Sequence, residues 1–249
     1  MRPLALLSND DGYTSLGIRA LRTALETFAD VVVCAPETEQ SAASHALSLN
    51  RPLRLRAVAP SVFAVDGTPA DSVYVAIHSG RVLPRRPDIV VSGVNHGLNL
   101  GQDVFYSGTV AAAREGALRG IAAIAASAHP KADFDAVSAA VARLAETMAG
   151  KPRSERGLLL SMNFPRTWTE IVATRLGARL YEETCDFRKD PRGREYLWIG
   201  GPGVEHPHAP GTDTEAYDLG QASVTPLLLD PTNREYGQNL GAILTSMQS

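Results

Sequence analysis

The sequence predicts an α/β fold: a three-layer α/β/α core on a mostly parallel sheet, with a C-terminal extension of β-hairpins and tail segments. Three observations predict it. Short apolar runs alternate with segments of helical periodicity through the first 165 or so residues. The first strand–helix–strand unit closes within about 35 residues, which calls for a right-handed crossover between parallel neighbours. Beyond that point the alternation stops, and short β-like pieces follow one another between charged and Gly/Pro-rich links.

In order, Pro3–Ser8 reads as a buried strand that runs into the tight turn Asn9-Asp10-Asp11-Gly12. Leu16, Ala20, Leu21, Ala24, Leu25 and Phe28 recur at helical spacing. Val31–Ala35 is a second buried strand, stopped by Pro36. Leu53–Val58 alternates apolar and basic residues, Val62–Val65 is a short strand, and Pro69 opens a helix through Ala76. Asp88–Ser92 is a strand leading into the loop Gly93–Asp103. Ser107–Arg119 is an alanine-rich helix, Ile121–Ala126 a strand, Ala132–Met148 a helix and Leu158–Asn163 a strand. The extension carries β-like pieces at Ile171–Thr174, Arg179–Glu183, Glu195–Ile199 and Ser223–Leu229, and Gly200–Gly211 is the candidate mobile loop. One domain over 1–249 is expected, with its core in about 1–165 and an oligomerisation extension in about 166–249.

Composition excludes several classes. The chain has 249 residues, 44% hydrophobic and 20% charged, with a net charge of −3. No basic stripe is present to steer a polyanion, so no nucleic-acid partner is expected. No segment approaches the 18 apolar residues of a membrane span. The run Leu4–Leu7 is too brief for a signal-peptide core, and the cytoplasm is the expected compartment. Cys34 and Cys185 are too few and too distant to form a disulfide framework.

Ligands of an open parallel sheet bind beyond the carboxyl ends of its strands. Three polar segments fall at such ends: Asn9–Gly12, Glu37–His45 and Ser92–Thr109. Asp10 and Asp11 are adjacent carboxylates, costly together unless a cation or hydrogen bonds offset them, and as hard oxygen donors they suit Mg²⁺, Mn²⁺ or Ca²⁺. The same four residues are also good turn and helix-cap chemistry. Ser41 and its neighbours offer hydroxyls that can complete an oxygen shell or simply cap a surface loop; His45 reads as structural. Asn95 lies three residues past a strand end, where its side-chain oxygen can ligate. Tyr106-Ser107-Gly108-Thr109 begins a helix whose N-terminus suits a phosphate, with Ser107 and Thr109 as plain caps the alternative. Thr68 and Asp71 are explained mostly by helix initiation. Neither a Walker loop nor a GxGxxG pattern is present.

Together these segments resemble the SurE family, the stationary-phase survival proteins that act as 5′-nucleotidases. The matching residues are Leu7–Gly12, Ala35-Pro36 with Ser41–His45, Asp66–Asp71, Val91–Gly97 with Ser107–Gly116, and near the end Gly211-Thr212-Asp213 and Ser223–Leu227. The resemblance implies a Rossmann-like core and one divalent ion per subunit, commonly Mg²⁺ or Mn²⁺. It implies the metal ligands Asp10, Asp11, Ser41 and Asn95, with Asp10 and Asp11 as the catalytic pair. It further implies hydrolysis of nucleoside 5′-monophosphates, and a homodimer or homotetramer built through the C-terminal extension. It leaves 3′-monophosphates and short polyphosphate open as further substrates. Asn9, Ser107, Gly108 and Thr109 are the expected phosphate contacts. Ala222 departs from the family pattern, which has a bulky residue there; this bears on subunit contact. The rival readings are a nucleotide-binding transferase, an aspartyl-nucleophile phosphatase (which would need Asp-x-Asp) and a non-catalytic nucleotide sensor.

Overall fold

A computed structural model describes residues 2–151, 158–182, 184–200, 203–233, 244–245 and 247. The elements run β1 (Leu4–Ser8), α1 (Leu16–Leu25), β2 (Asp30–Pro36), β3 (Leu55–Ala59), β4 (Val62–Val65), α2 (Pro69–His78), β5 (Ile89–His96), a 3-10 turn (Gly101–Phe105) and α3 (Gly108–Leu118). They continue with β6 (Ala122–Ala128), α4 (Phe134–Ala149), β7 (Leu159–Phe164), β8 (Ile171–Ala173), β9 (Leu180–Tyr181) and β10 (Cys185–Lys189). The last are β11 (Glu195–Ile199), β12 (Val204–Glu205), α5 (Asp213–Asp218) and β13 (Ala222–Leu227).

Nine strands form one sheet in the order β3-β4-β2-β1-β5-β6-β7-β13-β8. The six strands from β4 to β7 are mutually parallel, while β3 and β13 run against their neighbours β4 and β7. The period of two along each strand divides the core. Ala5 and Leu7 of β1 face Ile18, Leu21 and Val137 of α1 and α4; Leu4 and Leu6 face Val73 and Val110 of α2 and α3. Sandwiched between the two helix layers, the central strands read as continuous apolar runs rather than alternating ones. Because β2 lies on one side of β1 and β5 on the other, the chain reverses its direction of progress at β1. A crevice opens at that switch point, beyond the carboxyl ends of the strands.

The strands and helices predicted for the core are all present, with ends moved by a few residues. The largest displacement matters for function: β5 continues to His96, so Asn95 lies in the strand rather than in a loop. The tail differs more. β13 is hydrogen-bonded between β7 and β8 inside the main sheet, so the last quarter of the chain completes the core as well as extending it. Ala222, expected to bear on subunit contact, is fully buried there in register with Ile171. β10, the short β12 and α5 were not anticipated, whereas the predicted piece Arg179–Glu183 is present as the two-residue β9 among the described residues. Glu183, and residues 201–202 of the candidate mobile loop, lie outside the described residues. Cys34 is buried and Cys185 exposed, both as free thiols. Among the described residues no helix is long and apolar enough to cross a membrane.

Candidate active site

The crevice holds a cavity of about 590 Å³ lined by residues of the turn after β1, the start of α1, the loop after β2, the end of β5 and the start of α4. Asp10, Asp11, Ser41 and Asn95 all line it. Four residues spread over 86 positions of sequence are thus brought together by three neighbouring strand ends.

Each is held by its surroundings. The Thr109 hydroxyl of α3 donates to Asp10 Oδ1. Gly108 permits that approach, since a Cβ there would stand 2.8 Å from the Asp10 Cβ. Burial, and then the neighbouring Asp11 charge, push the Asp10 carboxyl up to about 6 despite the Thr109 bond, which pulls it down. The Asp11 carboxyl is also raised, mainly by burial and further by Glu39, while the His96 backbone N–H donates to its Oδ2 at 3.2 Å. Among the described residues no Lys or Arg pairs with either aspartate.

Asn95 donates through Nδ2 to the Gly97 carbonyl at 3.0 Å, which leaves its oxygen for the cavity. The path to that position needs Gly93: the β5–β6 register shifts between Ser92 and Asn95, and Gly93 sits at φ +129° with Ala126 O only 2.3 Å from where a Cβ would be. Ser41 donates to Glu39 Oε1 at 2.6 Å, keeping its lone pairs. Its loop is fastened at several points. The Gln40 N–H reaches Asp10 O at 2.8 Å, and Ser44 bonds Tyr106 O and Phe105 O. His45 Nε2 meets the buried Glu115 carboxylate at 2.9 Å. Burial would raise Glu115, yet its hydrogen bonds with His45 and Arg119 hold it below the usual range. His45 is therefore structural, as expected, and Thr68 and Asp71 form a capping box on α2.

The expected phosphate contacts fall behind this front rank. Asn9 is fully buried, donating to Gly12 O and Ser15 Oγ at 2.9 Å each, and so fixes the turn between β1 and α1. The Ser107 hydroxyl accepts from Val110 N as the cap of α3. None of Asn9, Ser107, Gly108 or Thr109 lines the cavity. Through the Thr109 hydroxyl, the helix start holds Asp10 itself. Sequence reasoning had not singled out Leu16, Glu39, Asn99, Pro130 or Phe134, which do line it. Their types are too common to signal; only the crossing of α1, α4 and β5 collects them.

The chemistry of the donors can be tested against a divalent ion. Two raised carboxyls that, among the described residues, pair with no Lys or Arg, together with the neutral oxygens of Ser41 and Asn95, form a hard-oxygen set whose two charges match a 2+ ion. Among the described residues no three His, Cys, Asp or Glu side chains converge as a metal cluster, so the neutral oxygens are needed to complete the shell. The residues fit the group.

Fold and site together define an α/β protein of the open-sheet class, with an acidic crevice at its topological switch point, where such sheets bind their ligands. Comparison with known proteins agrees with this. The family model described as "Survival protein SurE" matches residues 5–183, and the chain belongs to that family. It is 62% identical over 236 residues to the 5′-nucleotidase SurE of Sorangium cellulosum, covering 92% of this chain and 91% of the relative. It is 50% identical over 240 residues to the protein of the same name from Anaeromyxobacter dehalogenans, covering 94% and 93%. The crystal structure of the SurE protein from Aquifex aeolicus superposes with a TM-score of 0.81 at 36% identity, over 97% of this chain and 99% of that one.

Proposed function

We propose that this protein is a divalent-metal-dependent phosphatase that hydrolyses nucleoside 5′-monophosphates to nucleoside and phosphate. One observation carries the reading: two adjacent carboxylates with raised pKa, Asp10 buried and Asp11 half-buried, share a cavity with the Ser41 and Asn95 oxygens, and among the described residues no Lys or Arg pairs with them. The names of the relatives give the substrate class.

Asp10, Asp11, Ser41 and Asn95 would hold Mg²⁺ or Mn²⁺. When bound, such an ion supplies polarisation of the phosphoryl oxygens and a lowered pKa for a coordinated water. The chain's own part is positioning. Thr109 fixes one oxygen of Asp10, the His96 N–H orients Asp11, and the Gly97 carbonyl aims the Asn95 amide. Preset in this way, the donors need no reorganisation as charge moves between phosphoryl group and leaving oxygen. The N-terminus of α3, against Asp10, adds positive potential where phosphate charge gathers. Asn9, Ser107, Gly108 and Thr109 support the phosphate end in this indirect sense. A panel of nucleoside 5′- and 3′-monophosphates and short polyphosphate, with Mg²⁺, with Mn²⁺ and with chelator, tests the proposal. Metal-dependent release from the 5′-monophosphates is the expected result. Binding without release would favour a sensor.

We assign the assembly as a homodimer or homotetramer, on the exposed apolar side chains of β10 and β11, with the cytoplasm as its compartment. Light scattering reads the mass.

A further inference from the structure

Resting on the phosphatase reading, we propose that His96 and Phe134 form the platform on which the nucleobase of the substrate stacks, with Leu16 as its apolar wall. The cavity lining is of two chemical kinds: the carboxylates and amides already described, and the apolar Leu16, Pro130 and Phe134, of which Leu16 and Phe134 also line a neighbouring hollow between α1 and α4. A ligand with an anionic part and a planar, apolar part matches those two kinds of lining.

The rings of His96 and Phe134 stack with centroids 6.0 Å apart and planes inclined by 22°, an offset arrangement whose outer face another ring can extend. Leu16, the first residue of α1, is 73% exposed, so packing of the protein's own core does not account for it. His96 also ties the two kinds of lining together. Its backbone N–H holds Asp11 while its ring lies in the stack, so one residue sets the spacing from metal ligands to platform. Past Leu16 and Phe134 a second hollow of about 480 Å³ continues between α1 and α4, where Arg19 and Asp133 offer a donor and an acceptor to the edge of a base.

The experiment compares AMP with ribose 5-phosphate, which carries the same phosphate ester without a base. In Phe134→Ala and in His96→Ala, the ratio of kcat/KM for AMP to that for ribose 5-phosphate should fall by about tenfold, the order expected for loss of one base–aromatic stack. In Phe134→Ala the loss should appear in KM rather than kcat. Phe134→Tyr keeps a ring in place and should restore the ratio; this separates stacking from the contribution of Phe134 to the core. Calorimetric titration with adenosine should show the same tenfold weakening without any hydrolysis. A ratio within about twofold of wild type in both alanine variants, with unchanged adenosine affinity, would overturn the platform. Should wild type release phosphate from neither ester with Mg²⁺ or Mn²⁺, the phosphatase reading falls, while the adenosine titration still decides the platform.

Discussion

β5 and β11 are both rich in apolar residues, yet they have opposite fates. In β5 (IVVSGVNH) the first six residues are buried, and the last two emerge at the crevice carrying Asn95 and His96. In β11 (EYLWI) all five residues are exposed, with Trp198 at 62% and Ile199 at 85%. The difference lies in what covers them. β5 has strands on both edges and helices on both faces, whereas β11 has only β10 beside it. An isolated two-stranded hairpin is marginal in water, and an exposed apolar patch of this kind marks an interaction surface. The core region thus buries its apolar residues around a polar site, whereas the hairpin leaves its own exposed, where the proposed subunit contact would use them.

The sharpest test of that contrast strikes the core's polar end. Asp10→Asn should lower metal-dependent phosphate release from AMP by about three orders of magnitude while the circular dichroism spectrum stays native, because it removes a ligand charge and no packing. Turnover near wild type in that variant would sink the proposed site.

Next in size is the joint between core and tail. Asp213 is buried, and its carboxylate accepts from the N–H groups of Gly101 (2.9 Å), Gly177 (2.7 Å) and Thr214 (2.9 Å). Asp213→Ala orphans these donors and should cost about 3 kcal/mol in urea denaturation. A change below about 1 kcal/mol would mean that the tail is not fastened there.

A pH effect of similar size belongs to the metal-free protein. The Asp10 carboxyl sits at about 6 when folded against an ordinary value of 3.8. The folded state therefore binds this proton more tightly, and the group's own contribution to stability is full below about 3.8 and is lost as pH rises through about 6. For a group so buried this amounts to roughly 3 kcal/mol. Chelated protein should lose melting temperature across that window, and Asp10→Asn should flatten the loss. Saturating Mg²⁺ or Mn²⁺ should reverse it, since the cation favours the charged form.

The smallest effect on the core is expected from the hairpin. Trp198→Ser should shift the light-scattering mass towards monomer while changing the unfolding free energy of the monomer by less than about 0.5 kcal/mol. A large loss of monomer stability would show that the hairpin packs on its own chain instead.

Much of this was legible in the sequence because the signals were local. The central strands are continuous apolar runs ended by polar turns, and a run buried on both faces needs no alternation to be recognised. Asp10 and Asp11 stand directly at such an end, and Ser41 and Asn95 sit near two more. The sequence could not say that β5 continues through Asn95, because the shift at Gly93 depends on the Ala126 carbonyl of a strand more than thirty residues away. Nor could it show that the helix start at Ser107–Thr109 grips Asp10 rather than fronting the cavity. By itself, then, the sequence determined the α/β order, the strand ends and the acidic pair, since these follow from hydrophobic period and turn chemistry within a few residues. Only the tertiary structure decided which strands became neighbours, that the Thr109 hydroxyl is spent on Asp10, that β13 inserts between β7 and β8, and that Leu16, His96 and Phe134 line one cavity. Those outcomes depend on contacts between distant segments, where burial and hydrogen bonding are settled by the partner and not by the residue.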